Sequence, residues 1–532
     1  MSSPPAGIPE ADWLATPASV RTLILVQQQE IQALRQENDE LRGQLAALAT
    51  ELASLRERIG RSSRNSSKPP SSDASGFKSP ERRKGSGRKR GGQPGHPGAG
   101  PELLPIERVD EVVEHHPDAC RHCGTLLHGE DPDPLRHQVI EIPPITPLVI
   151  EHRLHRLVCP CCSTSTCAPL PADVEVSRYG RRLSSLIALL SAAFPLSISK
   201  SQALLQQVLG VELSRASIVR SLQRVSAALE QPTTAAHRAL QQQPVVYVDE
   251  TGAPTGNADG GNPKGKRGWL WVAMSPVVTV FLQGLSRSAA AAIELLGHGF
   301  GGIVVSDRFS AYNHLPSQQR QLCWAHLIRD LTAIAERSGA SAAFGAQLLE
   351  LQQQLFEQWH RYKGGTIDWP ALQHSSQPIR LAFEATLQQV VELGVQRGER
   401  TPWASTVRTC QKLLKVADAL WTFLDIEGIE PTNNAAERAL RPAVIQRKVS
   451  HGVQSANGAI CRARLLTVTT TLRQQGRDVW QFLEQAWIAH HHGGVMPSLL
   501  PDPRIWRHGT LLLDRSAMSN QACSPAPGRF DP

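Results

Sequence analysis

Three acidic residues stand where carboxylates could share a cation. Asp249 ends the apolar run 245–249, VVYVD, and Asp307 ends the apolar run of GGIVVSD. Glu437 follows much later, in the segment PTNNAAERALRP. Converging carboxylates repel each other unless cations lie between them, and Mg²⁺ prefers such oxygen ligands. Because two ions of this kind serve phosphodiester chemistry, we predict that Asp249, Asp307 and Glu437 are catalytic and bind two Mg²⁺ ions, with Mn²⁺ as a substitute.

Each acid also has a purely structural interpretation. Asp249 could cap a turn, and Asp307 could form a surface ion pair with Arg308. Glu437 could pair with Arg441 one helical turn later. The joint catalytic interpretation is favoured because two of the acids end apolar strands.

Two cysteine pairs have the spacing of metal-binding turns. Two residues separate Cys120 from Cys123, and two separate Cys159 from Cys162. This gap lets both thiolates of a turn bind one tetrahedral ion. We therefore predict a structural Zn²⁺ on these four residues, with metal-free thiols as the alternative. The neighbours that could replace a ligand are Cys161, Cys167, His122 and His128.

The elements around the acids predict how they meet. Residues 245–249, 267–274 and 277–285 have the pattern of three neighbouring antiparallel strands, and a helix and a fourth strand ending in Asp307 follow. This order is that of a ribonuclease-H-like sheet, so we predict an α/β catalytic core over 240–490. Because side chains alternate along a strand, Glu250 is expected to face away from Asp249.

A helical insertion is predicted inside this core, at about 325–425, because the sequence there has helical periodicity. Cys323 and His326, in the motif CWAH, lie close to its start. One cysteine and one histidine are too few for a closed metal site. We expect them to orient a neighbouring catalytic group or the nucleic acid, and packing alone is the alternative.

Residues 176–235 are predicted to be helical. A helix over 199–209 is followed by Gly210 and by Ser214, a typical N-cap before a second helix. This arrangement indicates a helix-turn-helix, with an ordinary helical hairpin as the alternative. Basic residues on the second helix and after Glu437 are candidates for phosphate or base contacts. They are Arg215, Arg220, Arg224, Arg438, Arg441 and Lys448.

A heptad repeat runs through residues 21–59. Its first core position holds Ile31, Asn38 and Leu45, and its second holds Leu34 and Leu41, with the same spacing continuing to residue 59. The pattern predicts a coiled coil, and the asparagine favours a parallel dimer in fixed register. An amphipathic helix packed on its own domain is the alternative.

Composition separates the remaining segments. Residues 60–104 are rich in Gly, Pro, Ser and basic residues, which predicts a flexible linker suited to phosphate contact. Residues 105–175 form the predicted zinc segment, and residues 491–532 a tail without an assigned task. The net charge of +8 is only a modest sign of a polyanionic partner. Without an apolar run of membrane-spanning length or a secretory signal, we expect a cytoplasmic protein that does not enter membranes.

Several of these motifs resemble the insertion-sequence transposases of the IS66 family. NSSKPPSSD and RKRGGQPGHPG resemble its linker, and the paired CxxC motifs resemble its zinc-binding segment. VDETG, SDRFSAY, CWAH and NNAAERALRP resemble its catalytic core. The resemblance implies an Asp-Asp-Glu triad of Asp249, Asp307 and Glu437. It also implies binding to the element's terminal inverted repeats, and cleavage and joining of its ends to target DNA.

Further expectations concern partners and location. We expect a homodimer or larger assembly through the coiled coil, associated with the bacterial nucleoid, and a need for accessory proteins of the same element stays open. Three other functions fit part of the pattern: a non-catalytic sequence-specific DNA-binding regulator, a ribonuclease-H-type nuclease that cleaves without joining, and an inactive transposase relative. The regulator would leave the acids at the strand ends unexplained.

Overall fold

The computed structural model of the protein describes Gly7, residues 9–60 and residues 103–501. The predicted linker (60–104) and tail (491–532) therefore lie mostly outside the described residues. The α-helices within these ranges are α1 (Glu10–Ala15), α2 (Ala18–Gly60), α3 (Arg181–Ala192), α4 (Ile198–Leu209), α5 (Arg215–Ala228), α6 (Glu230–Leu240), α7 (Ala289–Leu296), α8 (Trp324–Ala335), α9 (Ala340–Lys363), α10 (Trp369–Glu392), α11 (Pro402–Leu414), α12 (Asp418–Asp425), α13 (Asn434–Ser450), α14 (Ala456–Gln474) and α15 (Val479–His492). The β-strands are β1 (Arg156–Val158), β2 (Ser165–Cys167), β3 (Val245–Gly252), β4 (Trp269–Met274), β5 (Thr279–Gly284), β6 (Ile303–Ser306) and β7 (Arg320–Leu322).

The chain forms two compact units. Among the described residues, the first combines those up to residue 60 with 326–415, and the second combines 103–325 with 416–501. In the first unit, α2 is a helix of 43 residues. Its heptad residues Ile31, Leu34, Leu41 and Leu45 are between 49% and 66% exposed. The predicted segment is thus helical with an uncovered apolar stripe, and its pairing in a coiled coil stays a prediction.

The part of the first unit that follows β7 is a set of packed helices. Helix α10 packs between α9 and α11, through buried residues such as Leu355, Phe383 and Val407. Asp368 and Thr401 begin α10 and α11 by accepting hydrogen bonds from backbone N–H groups of the first turn. The segment predicted as a helical insertion is therefore helical.

The second unit contains a mixed five-stranded sheet in the order β5-β4-β3-β6-β7. Strand β4 pairs antiparallel with β3 on one side and with β5 on the other, as predicted. Strand β6, the predicted fourth strand, runs parallel to β3. Strand β7 is parallel to β6 and was not predicted. The sheet therefore has three parallel strands whose carboxyl ends lie at the same edge.

Alternation along β3 divides its residues between two cores. Val246 and Val248 face a large core formed with α3, α5, α7 and α15. Tyr247 faces a smaller core with Leu270 and with Ala436 of α13. Because Asp249 continues the Tyr247 side of the strand, its carboxylate points toward α13.

The edge strand β5 is covered by a helix rather than left open. Thr467 and Thr471 of α14 accept hydrogen bonds from the backbone N–H groups of Phe281 and Thr279, at 2.9 and 3.1 Å. The Thr471 hydroxyl also donates to the Thr279 carbonyl at 3.0 Å. These side chains take the positions that a further strand would occupy.

The chain leaves the sheet after β7 and returns beside the same point. The Trp324 backbone N–H donates to the carbonyl of Pro431 at 2.9 Å. Helix α12 packs on β7, and its Leu420 carbonyl accepts a hydrogen bond from the Trp324 indole at 2.9 Å. The residues before and after the helical segment are thus held together within the second unit.

Helices α4 and α5 are joined as the sequence predicts. Gly210 ends α4 with φ of 63°, a left-handed conformation that glycine adopts easily. Ser214 begins α5, and its hydroxyl accepts a hydrogen bond from the Ser217 N–H at 3.1 Å. Helix α5 buries Ile218 and Val225 in the large core, so its opposite side faces outward.

Candidate active site

The first two acids stand side by side at the carboxyl edge of the parallel strands. Tyr247 of β3 pairs with Val305 of β6 in the parallel register. Continuing that register by two residues aligns Asp249 with Asp307. Both side chains then project from the same face of the sheet, although among the described residues Asp249, Asp307 and Glu437 do not bring their ligand atoms within 4.8 Å of one another.

Cys323 follows β7, the next strand of the sheet, at the same edge as Asp249 and Asp307. Ser306 of β6 pairs with Leu322 of β7, and the Cys323 N–H donates to the Ser306 carbonyl at 2.8 Å. The same register therefore aligns Cys323 with Asp307. The sequence suggested an auxiliary role for Cys323, but without β7 it could not predict this neighbour.

Glu437 approaches the aligned residues Asp249, Asp307 and Cys323 from α13. This helix packs on β3 and β4, with Ala436 and Ala439 in the small core, and Glu437 lies in its first turn. A carboxylate oxygen of Glu437 lies within 4.8 Å of the Cys323 sulfur. His326 follows in the first turn of α8 and belongs to the first unit, so its auxiliary role stays a prediction.

The titration of Asp249 reflects the gathered charges. Its pKa is raised from the ordinary value of 3.8 to about 8, mainly by burial and next by the charge of Glu250. Smaller contributions come from the charges of Asp307 and Glu437, while the Glu250 backbone N–H, which donates to Asp249 Oδ1 at 2.9 Å, acts in the opposite direction. Without a cation, the partly buried carboxyl group of Asp249 is therefore shifted toward its protonated form.

Asn433 is a residue whose part in the site the sequence did not reveal. Its backbone N–H donates to the Cys323 sulfur at 3.1 Å, and its side-chain Nδ2 donates to the Val248 carbonyl at 2.7 Å. It is 1% exposed, and its Oδ1 has no hydrogen-bond partner. Asn433 stands at the N-cap position of α13, but its side chain makes no capping hydrogen bond to that helix. Instead it fastens the start of that helix to the end of β3.

Glu250 faces the other core, as alternation predicts. Its side chain is 2% exposed and forms an ion pair with Arg287 at 2.7 Å. The hydroxyl group of Tyr312 donates to its second oxygen at 2.8 Å. Burial, and then the charge of Asp307, raise the pKa of Glu250, while Arg287 and Tyr312 oppose that rise.

The two cysteine turns have the same backbone geometry. In the first, the Gly124 N–H donates to the Cys120 carbonyl at 2.9 Å and Gly124 has φ of 73°. In the second, the Ser163 N–H donates to the Cys159 carbonyl at 2.9 Å and Ser163 has φ of 57°. A left-handed residue after the second cysteine is thus common to both turns. This equivalence aligns Cys162 with Cys123, and Cys161 with His122.

The pKa of the second thiol of each turn is lowered. Hydrogen bonds with the side chain and backbone of Thr125 lower the pKa of Cys123, and those with Thr164 lower the pKa of Cys162. Thiolates are the form that binds zinc. Across the described chain, however, no three of the four predicted zinc ligands lie within ligand distance of one another.

The predicted basic contacts lie on the surface. Arg215, Arg220 and Arg224 are exposed on α5, and Arg438, Arg441 and Lys448 are exposed on α13. Arg447, one residue before Lys448, instead donates to the Thr251 hydroxyl at 3.1 Å. The three exposed basic residues of α13 thus lie on the same helix as Glu437, after it in the chain.

Comparison with known proteins identifies the family. Residues 176–460, more than half of the chain and including all three acids, match the transposase IS66 family. The chain belongs to this family of transposases. In this IS66 transposase, residues 117–163 match the zinc-finger binding domain of transposase IS66, a range that contains all four predicted zinc ligands. Residues 22–102 match a family of unknown function, DUF6444.

A curated relative supports the extent of the match. The IS66 transposase is 26% identical over 420 residues to the uncharacterized protein y4qI of Sinorhizobium fredii. The similarity covers 74% of this chain and 75% of that protein. Separately, none of the described helices combines the length and apolar character that crossing a membrane requires.

Proposed function

We propose that this IS66 transposase binds the ends of its insertion sequence and catalyses metal-dependent DNA cleavage and strand transfer. Asp249, Asp307 and Glu437 are the catalytic residues in this proposal. The observation that carries it is the strand register that aligns Asp249 with Asp307, beside the helix that supplies Glu437. The core is then a ribonuclease-H-like domain over 240–490 with a helical insertion at about 325–425, which the sheet order supports.

The donor set fits divalent cations. Carboxylate oxygens are ligands for Mg²⁺ and Mn²⁺. Burial, then the charge of Glu250 and to a smaller extent the charges of Asp307 and Glu437 raise the pKa of Asp249, so a positive charge beside it would favour its carboxylate form. A cation would replace the proton that Asp249 otherwise holds. When bound, two such ions supply activation of the attacking oxygen and stabilisation of the leaving oxygen.

The protein's own contribution is positioning. Asp249 and Asp307 are fixed by the sheet, and Asn433 fixes the helix of Glu437 against the same strand. Arg438, Arg441 and Lys448 follow along α13 and would hold phosphates of the DNA strand by charge. Arg215, Arg220 and Arg224, on the outer side of a helix-turn-helix, would contact the element end. Cys323 would orient Glu437. His326, at the start of α8, would help to orient a catalytic group or the DNA.

A strand-transfer assay tests the catalytic assignment. Purified full-length protein is incubated with a labelled oligonucleotide of the element end and a target plasmid, with and without Mg²⁺. We expect joining by the wild type only with Mg²⁺. Asp249→Asn, Asp307→Asn and Glu437→Gln should each abolish joining while leaving end binding in a gel-shift assay unchanged. The matched control is Asp173→Asn, an exposed acid, which should join normally.

The outcomes separate the alternative functions. Normal joining by one triad variant would remove that residue from the catalytic set. Binding of end DNA without any Mg²⁺-dependent nicking by the wild type would favour a non-catalytic regulator or an inactive relative. Cleavage without joining would favour a simple nuclease.

The proposal also covers the zinc segment and the assembly. Structural Zn²⁺ on Cys120, Cys123, Cys159 and Cys162 is supported by the matched zinc-finger range and by the equivalent turns. We further propose dimers or larger assemblies through α2, whose heptad stripe is exposed. The basic linker would contact DNA, and the site of action would be the bacterial nucleoid in the cytoplasm.

A further inference from the structure

The orientation of each aspartate depends on a residue that follows it. Asp249 Oδ1 accepts a hydrogen bond from the Glu250 N–H at 2.9 Å. Asp307 Oδ1 accepts one from the Phe309 N–H at 2.9 Å. A shift of Glu250 would therefore rotate the carboxylate of Asp249, and a shift of Phe309 would rotate that of Asp307.

Arg287 contacts both of these following residues. Its Nε and Nη2 donate to Glu250 Oε1 at 3.0 and 2.7 Å. The same guanidinium lies over the Phe309 ring, 3.9 Å from the centroid, and over Trp269, 4.6 Å from the centroid. A planar guanidinium is suited to such a combination of forked hydrogen bonding and ring stacking.

Tyr312 provides a second connection between the same two segments. It is fully buried, and its hydroxyl donates to Glu250 Oε2 at 2.8 Å. Its ring packs edge-on against Phe309, with 6.3 Å between the centroids. Both oxygens of Glu250 are thus bonded to groups that contact the segment after Asp307.

We propose that Arg287, Glu250 and Tyr312 form a clamp that fixes the spacing and orientation of Asp249 and Asp307 as metal ligands. The proposal rests on the proposed function, in which these aspartates bind divalent cations. The clamp residues are positioning residues, since they act on Asp249 and Asp307 through the backbone N–H groups of Glu250 and Phe309 and do not bind the cation themselves.

Geometry and charge make opposite predictions for this clamp. Removing the positive charge of Arg287 would make the site more negative and, by Coulomb's law alone, would strengthen cation binding. Arg287→Lys keeps the charge but loses the fork and the stacking, and Tyr312→Phe changes no charge. If positioning matters, both variants weaken cation binding. If charge alone matters, neither variant does.

The test is a Mn²⁺ titration of the zinc-loaded, full-length protein, with free Mn²⁺ measured by electron paramagnetic resonance. Asp249→Asn gives the binding that does not involve the aspartates. We expect Arg287→Lys and Tyr312→Phe to raise the dissociation constant of the Asp249-dependent binding at least about tenfold, the effect typical of groups that orient metal ligands. The matched control is Arg267→Lys. Arg267 also stacks on Trp269, at 5.0 Å, and its variant should bind within about twofold of the wild type.

Wild-type affinity in both clamp variants would overturn the clamp alone, because the Asp249-dependent binding would still support the metal site. If the wild type binds no more Mn²⁺ than Asp249→Asn, the proposed metal site fails and the clamp fails with it. Should Arg287→Lys not fold, as judged by its melting transition, Tyr312→Phe decides the question by itself.

Discussion

Replacing Asp249 by asparagine should stabilise the metal-free protein while removing its response to metal. Burial and neighbouring carboxylates raise the pKa of Asp249 from 3.8 to about 8. In the unfolded chain the group ionises near its ordinary pKa, so the folded state binds an extra proton between pH 4 and pH 8. The stability contribution is therefore complete below pH 4 and is lost as the pH rises toward 8. Asparagine does not titrate and avoids this loss.

The size of the effect follows from the two pKa values. Each pH unit above 3.8 lowers the free energy of unfolding of the wild type by about 1.4 kcal/mol. The accumulated loss is about 4 kcal/mol at pH 7. Relaxation of the site and entry of water will reduce this value, so about 4 kcal/mol is an upper limit. The asparagine keeps an oxygen acceptor for the Glu250 N–H, and even a quarter of the limit, about 1 kcal/mol, would raise the melting temperature of a unit of this size by about 1–2 °C.

Calorimetry of the full-length protein at pH 5 and pH 8 measures this difference. We expect Asp249→Asn to melt above the wild type, and by more at pH 8 than at pH 5. Excess Mg²⁺ should then stabilise the wild type, by about 2.7 kcal/mol at a concentration of 100 times the dissociation constant, but not the variant. Asp173→Asn is the control. The reasoning would be refuted if the melting temperature of Asp249→Asn exceeded that of the wild type by the same amount at both pH values. Equal Mg²⁺ stabilisation of the variant and the wild type would also refute it.

Three further predictions concern other parts of the molecule. Cys162→Ser should lower the zinc content measured by atomic absorption, whereas Cys161→Ser should not, because only Cys162 matches the geometry of the first turn; equal loss in both would contradict this. Asn433→Ala should lower the free energy of unfolding by about 1–3 kcal/mol in urea titrations, since it leaves the Val248 carbonyl without its buried donor; no change would show that another donor takes its place. Ser214→Ala should cost about 1 kcal/mol in the same titration through loss of the cap of α5, and Ser214→Gly less than that.

The sheet could be predicted from the sequence because its first four strands are apolar runs of ordinary length. The run ending at Asp249 and the run ending at Asp307 both have this character. Two acids at such ends suggested their meeting, and the register of β3 and β6 is consistent with it. Strand β7 has only three residues, too few for any periodicity. Without it, the alignment of Cys323 with Asp307 could not be predicted.

The supporting contacts could not be predicted, because they join distant segments through single side chains. The bond from Asn433 to Val248 spans 185 positions, and no local pattern marks either residue. Helix α7 begins after Ser288, so Arg287 lies in the connection between β5 and α7, where it reaches Glu250. Helix α13 continues past Pro442 to Ser450, because packing of Ala439 and Ala443 in the small core outweighs the missing proline N–H.

The hydrogen bond between the Trp324 N–H and the Pro431 carbonyl has a consequence for how this enzyme family can diversify. A segment whose two ends are pinned together can lengthen or shorten with little entropic penalty, since closing a longer loop costs only slightly more. Related chains could therefore gain or lose whole helices after Trp324 while Asp307 and Glu437 keep their distance. Sequence differences would then concentrate in the helical segment after Trp324, and the positions of Asp307 and Glu437 would be unaffected.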